Sequence, residues 1–215
     1  LPVDSYIERF IPARKEVGIL VARSPAGEIR SYPPVEMRFH GAENMLDILL
    51  APAEIDAALA RQARELGVRV VEALDGVGVF GIELFLTEDD QLLVNEIAPR
   101  THNSGHHTIE ACITDQFEQH LRAVLGLPLG ATDQLSPAVM LNLLGAPGHT
   151  GTPRINGLAA SLAIPGVCVH LYGKTTTKPY RKMGHVTILD PALSSACAKA
   201  ERVRSLLTIT AEDEV

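Results

Sequence analysis

The chain has 215 residues, of which 46% are hydrophobic and 21% are charged, a composition typical of a globular protein with one large or two small cores. Its formal net charge of -7 argues against a general nucleic-acid binder, and no apolar run is long enough to cross a membrane. Three widely spaced cysteines, Cys112, Cys168 and Cys197, indicate buried thiols in a reducing compartment.

The first half of the chain predicts strands interrupted by two helices. Alternating or apolar runs between turn residues predict strands at residues 5–10, 17–22, 28–32, 79–86 and 91–97. A stripe of apolar side chains predicts a helix over residues 52–66, which Gly67 would end. A second helix is predicted over residues 114–125, ended by Gly126 with Pro128 beyond.

The composition changes near Gly130, where we place a domain boundary. Beyond it, short apolar runs predict strands at residues 138–144, 158–164, 167–172 and 185–189, followed by a helix over residues 191–207. We therefore expect an α+β fold. Residues 1–130 would form an antiparallel sheet with flanking helices, and residues 131–215 a small β-rich domain.

Two acidic residues lie on the predicted hairpin of residues 79–97. Apolar residues share one face of its first strand, so Glu83 lies on the other, and on the return strand Glu96 is expected to share a face with Val94. The turn places Glu83 opposite Asn95 and Glu96 to within about one residue of register. Adjacent carboxylates repel unless a cation lies between them, which suits Mg²⁺. The alternative is a pair of solvated residues on an exposed sheet face.

The loop after this hairpin offers hydrogen-bond donors for an anion. Arg100, His102, Asn103 and Ser104 follow the strand directly, and arginine is suited to forked recognition of phosphate or carboxylate. Gly105 allows a close backbone approach before the next helix. The alternative is an ordinary asparagine or serine helix cap beside an arginine that pairs locally.

The neighbouring histidines invite comparison with a zinc site, because His106 and Glu110 fall one helical turn apart. The general-base glutamate of the zincin motif is absent, and the sequence offers no obvious third ligand, so we do not predict zinc there.

A second basic cluster lies near the end of the chain, at Lys174, Lys178, Arg181, Lys182 and His185. It could be a solvated hairpin tip, the commoner case for a run of charge, or it could receive a phosphate. The Tyr-Gly and Met-Gly pairs that flank it are more typical of a shaped loop than of a random tip.

One segment carries a family resemblance. It reads Asn95-Glu96-Ile97-Ala98-Pro99-Arg100-Thr101-His102-Asn103-Ser104-Gly105-His106. It closely resembles the signature of the N5-carboxyaminoimidazole ribonucleotide synthetase family of ATP-grasp ligases, also described as the ATPase subunit of phosphoribosylaminoimidazole carboxylase. Further blocks match in the same order at residues 116–123, 127–130, 140–145, 172–174 and 181–185. Other ATP-grasp enzymes share only Glu83 and the Asn95-Glu96 pair, so the resemblance is specific and covers nearly the whole chain.

The resemblance implies that residues 1–130 are the C-terminal portion of an ATP-grasp domain, in an ATP-dependent carbon–nitrogen ligase. In the family reaction, ATP phosphorylates bicarbonate to carboxyphosphate, and the carboxyl group then passes to 5-aminoimidazole ribonucleotide. The products are N5-carboxyaminoimidazole ribonucleotide, ADP and phosphate, in de novo purine biosynthesis. The resemblance also implies Mg²⁺ or Mn²⁺, a cytoplasmic homodimer, contact with the partner mutase, and no nucleic-acid or membrane partner.

The same resemblance implies roles for individual residues. Glu83 and Glu96 correspond to the metal ligands, Asn95 lies beside the ATP phosphates, and Arg100 and Glu96 are the implied catalytic residues. The adenine-binding hinge corresponds to Glu8, Arg9, Phe10 and Ile11, and the ribose-binding carboxylate to Glu16. The nucleotide substrate site corresponds to Arg100, His102, Asn103 and Ser104, and the clamp on its phosphate to Lys174, Arg181 and Lys182.

Four positions depart from the family pattern. Many members have proline at Thr101, an aromatic residue at His107, and arginine and glycine at Lys178 and Tyr180. Lysine keeps the charge of arginine but lacks the forked hydrogen-bonding geometry of a guanidinium group, and tyrosine restricts the turn.

The chain opens Leu-Pro-Val-Asp and offers no counterpart of the family's N-terminal domain or of the lysines and glycine-rich loop that cover ATP. We therefore expect a C-terminal fragment that is inactive alone. Two other functions stay open, namely another ATP-grasp carboxylase, such as a biotin carboxylase relative, and a non-catalytic nucleotide-binding or assembly module. The second basic cluster argues against a biotin carboxylase, which has no ribonucleotide phosphate to bind.

Overall fold

A nine-stranded antiparallel sheet organises the chain in the computed structural model, which describes residues 7–40 and 45–211. The strands are β1 (Ala13–Arg23), β2 (Ile29–Ser31), β3 (Val35–His40), β4 (Met45–Ala51), β5 (Gly78–Thr87), β6 (Leu92–Ala98), β7 (Ala138–Leu144), β8 (Pro153–Asn156), β9 (Val167–Leu171), β10 (Lys182–Leu189) and β11 (Thr208–Ala211). The sheet runs β6-β5-β1-β3-β4-β7-β10-β9, with β2 paired to β1, while β8 and β11 form a separate pair.

The helices are α1 (Ala57–Leu74), α2 (Thr108–Ala111), α3 (Gln116–Val124), α4 (Leu158–Leu162) and α5 (Leu193–Leu206). α1 begins at Asp56, whose carboxylate accepts a hydrogen bond from Leu59 N at 2.8 Å, and ends at Asp75 in the left-handed conformation. The prediction that Gly67 ends this helix is wrong. Gly67 is buried within α1, where a Cβ would lie 3.0 Å from Ile19 Cγ2, so glycine lets the helix approach β1 closely.

Strand β1 is buried on both of its faces. Ile19 and Val21 belong to the core under α1, whereas Leu20 and Ala22 pack in the opposite core with Ala123 of α3. This two-sided burial explains why the strand is continuously apolar rather than alternating. It also fixes the centre of the sheet between two helical layers, with β5 and β6 beside it.

The segment 158–164, predicted as a strand, is instead the short helix α4. Gly157, at φ 75°, turns the chain immediately before it, and the residues that follow are leucine, alanine and serine without a β-branched side chain until Ile164. The predictions for β7 and β9 are confirmed, and α3 and α5 lie within two residues of their expected ends.

Strands β3, β4, β8 and β11 were not predicted, and residues 7–12 form neither helix nor strand. The first residues of the strand expected at 5–10 lie outside the described part of the chain. None of the helices in residues 7–40 and 45–211 has the length and apolarity needed to cross a membrane.

The predicted domain boundary at residues 130–131 falls in the connection between α3 and β7. The sheet continues across it because β4 pairs with β7, and Ile48 and Leu50 of β4 join the core formed by β7, β10 and α5. The second part carries helices as well as strands. Its separation as a domain stays a prediction.

We expect Leu84→Ala to lower the free energy of unfolding by about 2 to 4 kcal/mol, because the fully buried Leu84 side chain would leave a cavity under α1. Its cross-strand partner Val94 is 41% exposed, so Val94→Ala should cost less than about 1 kcal/mol. Urea denaturation of both variants checks this difference, and equal losses would contradict the placement of Leu84 in the core.

Candidate functional site

A β-bulge at Asn95 decides which side chains of β6 face the site. Leu84 pairs with Val94 and Glu83 pairs with Glu96, so Asn95 is the extra residue between the two pairs. The bulge reverses the alternation, and Glu96 therefore lies on the same face as Glu83 rather than with Val94. The predicted register of Glu83 against Asn95 and Glu96 is confirmed, whereas the shared face of Val94 and Glu96 is wrong.

A third carboxylate lies on the same face. Glu16 of β1 pairs with Phe85, two residues along β5 from Glu83. Burial, followed by the charges of Glu96 and Glu16, raises the pKa of Glu83 to about 7, although Lys182 acts in the opposite direction. Burial also raises the pKa of Glu16. Burial, together with repulsion from the neighbouring carboxylates, therefore keeps a proton on Glu83 for part of the time at neutral pH.

These carboxylates line a cleft of about 420 Å³ together with five of the other residues expected from the sequence. Its walls are Glu16, Phe39, Leu46, Glu83, Phe85, Asn95, Glu96, Arg100, His102, Asn103 and Lys182. The hairpin β5–β6 supplies the acidic end, the loop after β6 supplies arginine, histidine and asparagine, and β10 supplies the lysine. The sheet topology thus brings the loop after β6 close to Lys182, which lies 79 residues beyond Asn103 in sequence.

His102 is held between the carboxylates and its own loop. Its Nε2 lies 3.6 Å from Glu83 Oε1, and its Nδ1 lies 2.9 Å from Ser104 Oγ. Burial and the positive charge of Arg100 lower the pKa of His102, so the imidazole is neutral near pH 7. Ser104 is only 1% exposed and does not line the cleft, so it reaches the site only through its contact with His102.

Of the basic residues of the 172–182 loop, only Lys182 lines the cleft. The Lys174 ammonium donates to the Lys182 carbonyl, and the Arg181 guanidinium donates to Thr176 O at 2.7 Å. Partial burial and the neighbouring charges of Arg181 and Lys182 lower the pKa of Lys174. Positive charge is thus concentrated at this end, ready for an anion.

The expected adenine hinge does not line this cleft. Arg9, Phe10 and Ile11 line a separate cleft of about 400 Å³ with the β5–β6 turn at residues 87–91, and the Phe10 residue is 86% exposed. Glu8 is exposed and lines neither cleft. The two clefts lie at different points along the same hairpin.

The sequence prediction missed the apolar wall of the cleft, formed by Phe39, Leu46 and Phe85. The alternation of apolar and charged residues along β3 was the available signal for Phe39. It also missed Gln116, a fully buried polar side chain that bonds to His102. A glutamine at the start of a helix carries no sequence signal that separates burial from exposure.

The histidines considered for zinc have other contacts. Glu110 Oε1 lies 2.5 Å from His170 Nε2, and His106 stacks on His185 with ring centroids 4.4 Å apart. Burial lowers the pKa of His106 to about 4 and that of His185 to about 3. Within the described ranges, no group of three or more His, Cys, Asp or Glu side chains is arranged to hold a metal ion.

Comparison with known proteins agrees with this geometry. The ATP-grasp domain family matches residues 2–117, and the phosphoribosylaminoimidazole carboxylase C-terminal domain family matches residues 138–199. The chain is 45% identical over 210 residues to the N5-carboxyaminoimidazole ribonucleotide synthase of Synechococcus elongatus, a match that covers 97% of this chain and 51% of that protein.

Solved structures show the same architecture. The N5-carboxyaminoimidazole ribonucleotide synthetase of Thermotoga maritima superposes with a TM-score of 0.90 at 52% identity, covering 95% of this chain and 55% of that one. The Aspergillus clavatus synthase was solved in complex with ADP and 5-aminoimidazole ribonucleotide. It superposes with a TM-score of 0.82 at 36% identity, covering 91% of this chain and 52% of that one. The expected ATP-grasp fold is confirmed, and the chain spans about half the length of these relatives.

The raised pKa of Glu83 gives a testable pH dependence of stability. An unfolded glutamate titrates near 4.5, so between pH 4.5 and about 7 the native state binds more protons and loses stability as pH rises. In metal-free buffer, Glu83→Gln should therefore have the same free energy of unfolding as the native protein below pH 4.5. Above pH 7 it should be more stable by up to about 3 kcal/mol.

The exposed Glu72 of α1 provides the control, and Glu72→Gln should leave the pH profile unchanged. Denaturant titrations between pH 4 and pH 8 measure the three profiles. Parallel profiles for the native protein and Glu83→Gln would contradict the raised pKa of Glu83.

Proposed function

We propose a function from the family to which this chain belongs, the N5-carboxyaminoimidazole ribonucleotide synthase family of ATP-grasp ligases. The native protein would carboxylate 5-aminoimidazole ribonucleotide with bicarbonate and ATP. The products are N5-carboxyaminoimidazole ribonucleotide, ADP and phosphate. The observation that carries the proposal is the single cleft in which Glu83 and Glu96 lie together with Arg100, His102 and Lys182.

The acidic end of the cleft suits a magnesium ion on the ATP phosphates. Glu83 and Glu96 face each other as a directly opposed pair, and burial together with the charge of Glu96 raises the pKa of Glu83, a cost that a hard cation would relieve. Mg²⁺ takes one or two carboxylates plus substrate phosphates, so two protein ligands suffice, and Mn²⁺ suits the same oxygens. When bound, the metal would neutralise phosphate charge during transfer. The exposed amide of Asn95 is placed to donate to a phosphate oxygen.

The hairpin β5–β6 offers room for the rest of the nucleotide. Glu16, at the acidic end, would bind the ribose hydroxyls, and the backbone of Glu8, Arg9, Phe10 and Ile11 would read the adenine edge. Support comes from the second cleft at the 87–91 turn, which Arg9 to Ile11 line. An extended nucleotide would then run along the hairpin from the turn to Glu96.

The basic end of the cleft suits bicarbonate and the second nucleotide. Arg100 would hold bicarbonate and then carboxyphosphate through its guanidinium fork while the γ-phosphoryl group is transferred. The amine of 5-aminoimidazole ribonucleotide then forms the new C–N bond, phosphate leaves, and the amine loses a proton. His102 is neutral near pH 7, so its imidazole is able to accept that proton.

The remaining residues position the substrate and exclude water. Asn103 would bind the aminoimidazole nucleotide with Arg100 and His102, while Ser104 fixes His102. Lys182, with Lys174 and Arg181 beside it, would hold the ribose phosphate. The apolar wall of the cleft limits the access of water to carboxyphosphate, which hydrolyses readily.

Family membership also supports a proposal about the protein's surroundings. The whole protein would act as a cytoplasmic homodimer in de novo purine biosynthesis, and a partner mutase would receive its product. A non-catalytic nucleotide-binding module is the competing outcome, and turnover separates the two.

We expect Glu96→Gln to lower the carboxylation rate of the native protein by on the order of 100-fold, because a neutral amide binds Mg²⁺ weakly. The assay is ADP release that depends on both bicarbonate and 5-aminoimidazole ribonucleotide. Glu72→Gln is the control and should retain the full rate. An unchanged rate in Glu96→Gln would remove this residue from the metal site, and no turnover in the whole protein, of which this chain would be a part, would favour the binding module.

Lys182→Ala should raise KM for 5-aminoimidazole ribonucleotide by roughly 10- to 100-fold, because a charge-assisted contact to its phosphate is lost. KM for ATP should change by less than about 2-fold. Lys178, exposed on the same loop and outside the cleft, provides the matched control as Lys178→Ala. A larger effect on KM for ATP would place Lys182 at the other nucleotide.

A further inference from the structure

The side chain of Gln116 forms two hydrogen bonds with the backbone of a single cleft residue. Its Oε1 accepts from His102 N at 2.8 Å, and its Nε2 donates to His102 O at 2.8 Å. One amide group therefore pairs with both polar groups of His102, as a neighbouring strand would. Gly105 N also donates to His102 O, but among the described residues His102 N has no other acceptor.

Gln116 itself is fixed before it contacts His102. It is 0% exposed and opens α3, where the Asp115 carboxylate accepts from the first backbone N–H groups. Its own backbone N–H donates to Thr108 Oγ1 at 3.0 Å, and that hydroxyl donates to Gly105 O at 2.6 Å. Loss of this amide would leave buried backbone groups unpaired rather than exposing them to water.

Two glycines make the close fit possible. A Cβ on Gly105 would overlap the Gln116 amide, and a Cβ on Gly81 of β5 would lie 2.5 Å from His102 Cβ. His102 is thus confined between Gly81 on one side and Gln116 on the other. This confinement sets its ring 3.6 Å from Glu83.

The same amide extends toward the strand that carries Lys182. Gln116 Nε2 lies 3.2 Å from His106 Nδ1, and the His106 ring stacks on His185 of β10 at 4.4 Å. His185 lies three residues along β10 from Lys182. Gln116 therefore contacts both the loop that holds His102 and the stack that leads to the basic end of the cleft.

From these contacts we infer that Gln116 is the positioning residue that sets His102 in register with the acidic end of the cleft. Gln116 does not line the cleft, so it acts on the reaction through His102 and is not a catalytic residue. The role in catalysis rests on the proposed function, whereas the placement of His102 does not. A glutamate at this position would keep the acceptor for His102 N and lose the donor to His102 O.

A second glutamine on the same helix supplies a matched control. Gln119 is also 0% exposed, and its Nε2 donates to Gly130 O at 2.9 Å while its Oε1 accepts from Gly130 N at 2.8 Å. It makes the same pair of bonds with one residue's backbone, but in a loop away from the cleft. Gln116→Met and Gln119→Met therefore remove the same pair of backbone bonds and should both lower Tm, with a further loss in Gln116→Met from its contact with His106.

The kinetic test uses the native protein with bicarbonate, ATP and 5-aminoimidazole ribonucleotide. Gln116→Met should lower kcat by about 10- to 100-fold with KM for ATP within about 2-fold, because a misplaced His102 affects the carboxyl-transfer step. Gln119→Met should keep kcat within about 2-fold. Gln116→Glu retains one of the two hydrogen bonds, so its kcat should lie between those of Gln116→Met and the native protein. Equal kcat in Gln116→Met and Gln119→Met would overturn the inference.

A spectroscopic test separates this inference from the proposed reaction. At pH 8, where the His102 imidazole is neutral, its Cε1–Hε1 NMR signal should shift or broaden in Gln116→Met and stay in place in Gln119→Met. That result in a protein without carboxylating activity would retain the positioning role and reject the function. An unmoved His102 signal in a folded Gln116→Met or Gln116→Glu protein would reject the positioning role whatever the activity.

Discussion

The placement of Glu83 and Glu96 side by side on one face of the hairpin is the constraint on which the rest of the site depends. It exists because the bulge at Asn95 rotates Glu96 onto the face already occupied by Glu83. Two carboxylates held in this way, with Glu16 nearby, favour either a shared proton or a cation. Arg100 and Lys182, toward the other end of the cleft, would keep anions close to such a cation. The site thus has an acidic end and a basic end in one enclosed volume.

The fold supplies the rigidity that such a pair requires. β1, buried on both faces, holds β5 in place, and the fully buried Leu84 anchors β5 next to Glu83. Without these contacts the strands could move apart and relax the repulsion. The pairing of β4 with β7 carries the sheet onward to β10, which brings Lys182 to the same cleft. The packing of these strands therefore holds the two like-charged side chains close together.

Much of this arrangement was predictable from the sequence, and the exceptions have physical causes. Strand alternation and a short turn were enough to oppose Glu83 and Glu96, but a single-residue bulge leaves no periodic signal, so the face of Glu96 was assigned wrongly. The basic residues were recognised as a group. Which of them enters the cleft depends on the strand register of β10, and only Lys182 does.

Helix propensity explains the error at α4, because leucine and alanine after a left-handed Gly157 favour a helix whatever their hydrophobicity. The role of Gln116 was not predictable from the sequence for another reason. Its importance comes from burial against a residue fourteen positions away, and a single sequence does not report burial of a polar side chain. The family resemblance gave the site residues together, yet their roles follow only from the geometry and its tests.

Proton release on metal binding tests the central claim most directly. Calorimetric titration of Mg²⁺ and ADP into the native protein at pH 6.5, in two buffers of different ionisation enthalpy, counts the protons released, and subtraction of the same titration for Glu83→Gln removes the contribution of the nucleotide. With the pKa of Glu83 raised to about 7, the difference should be roughly three quarters of a proton. Binding with no difference in proton release would show that the cation does not lie between Glu83 and Glu96.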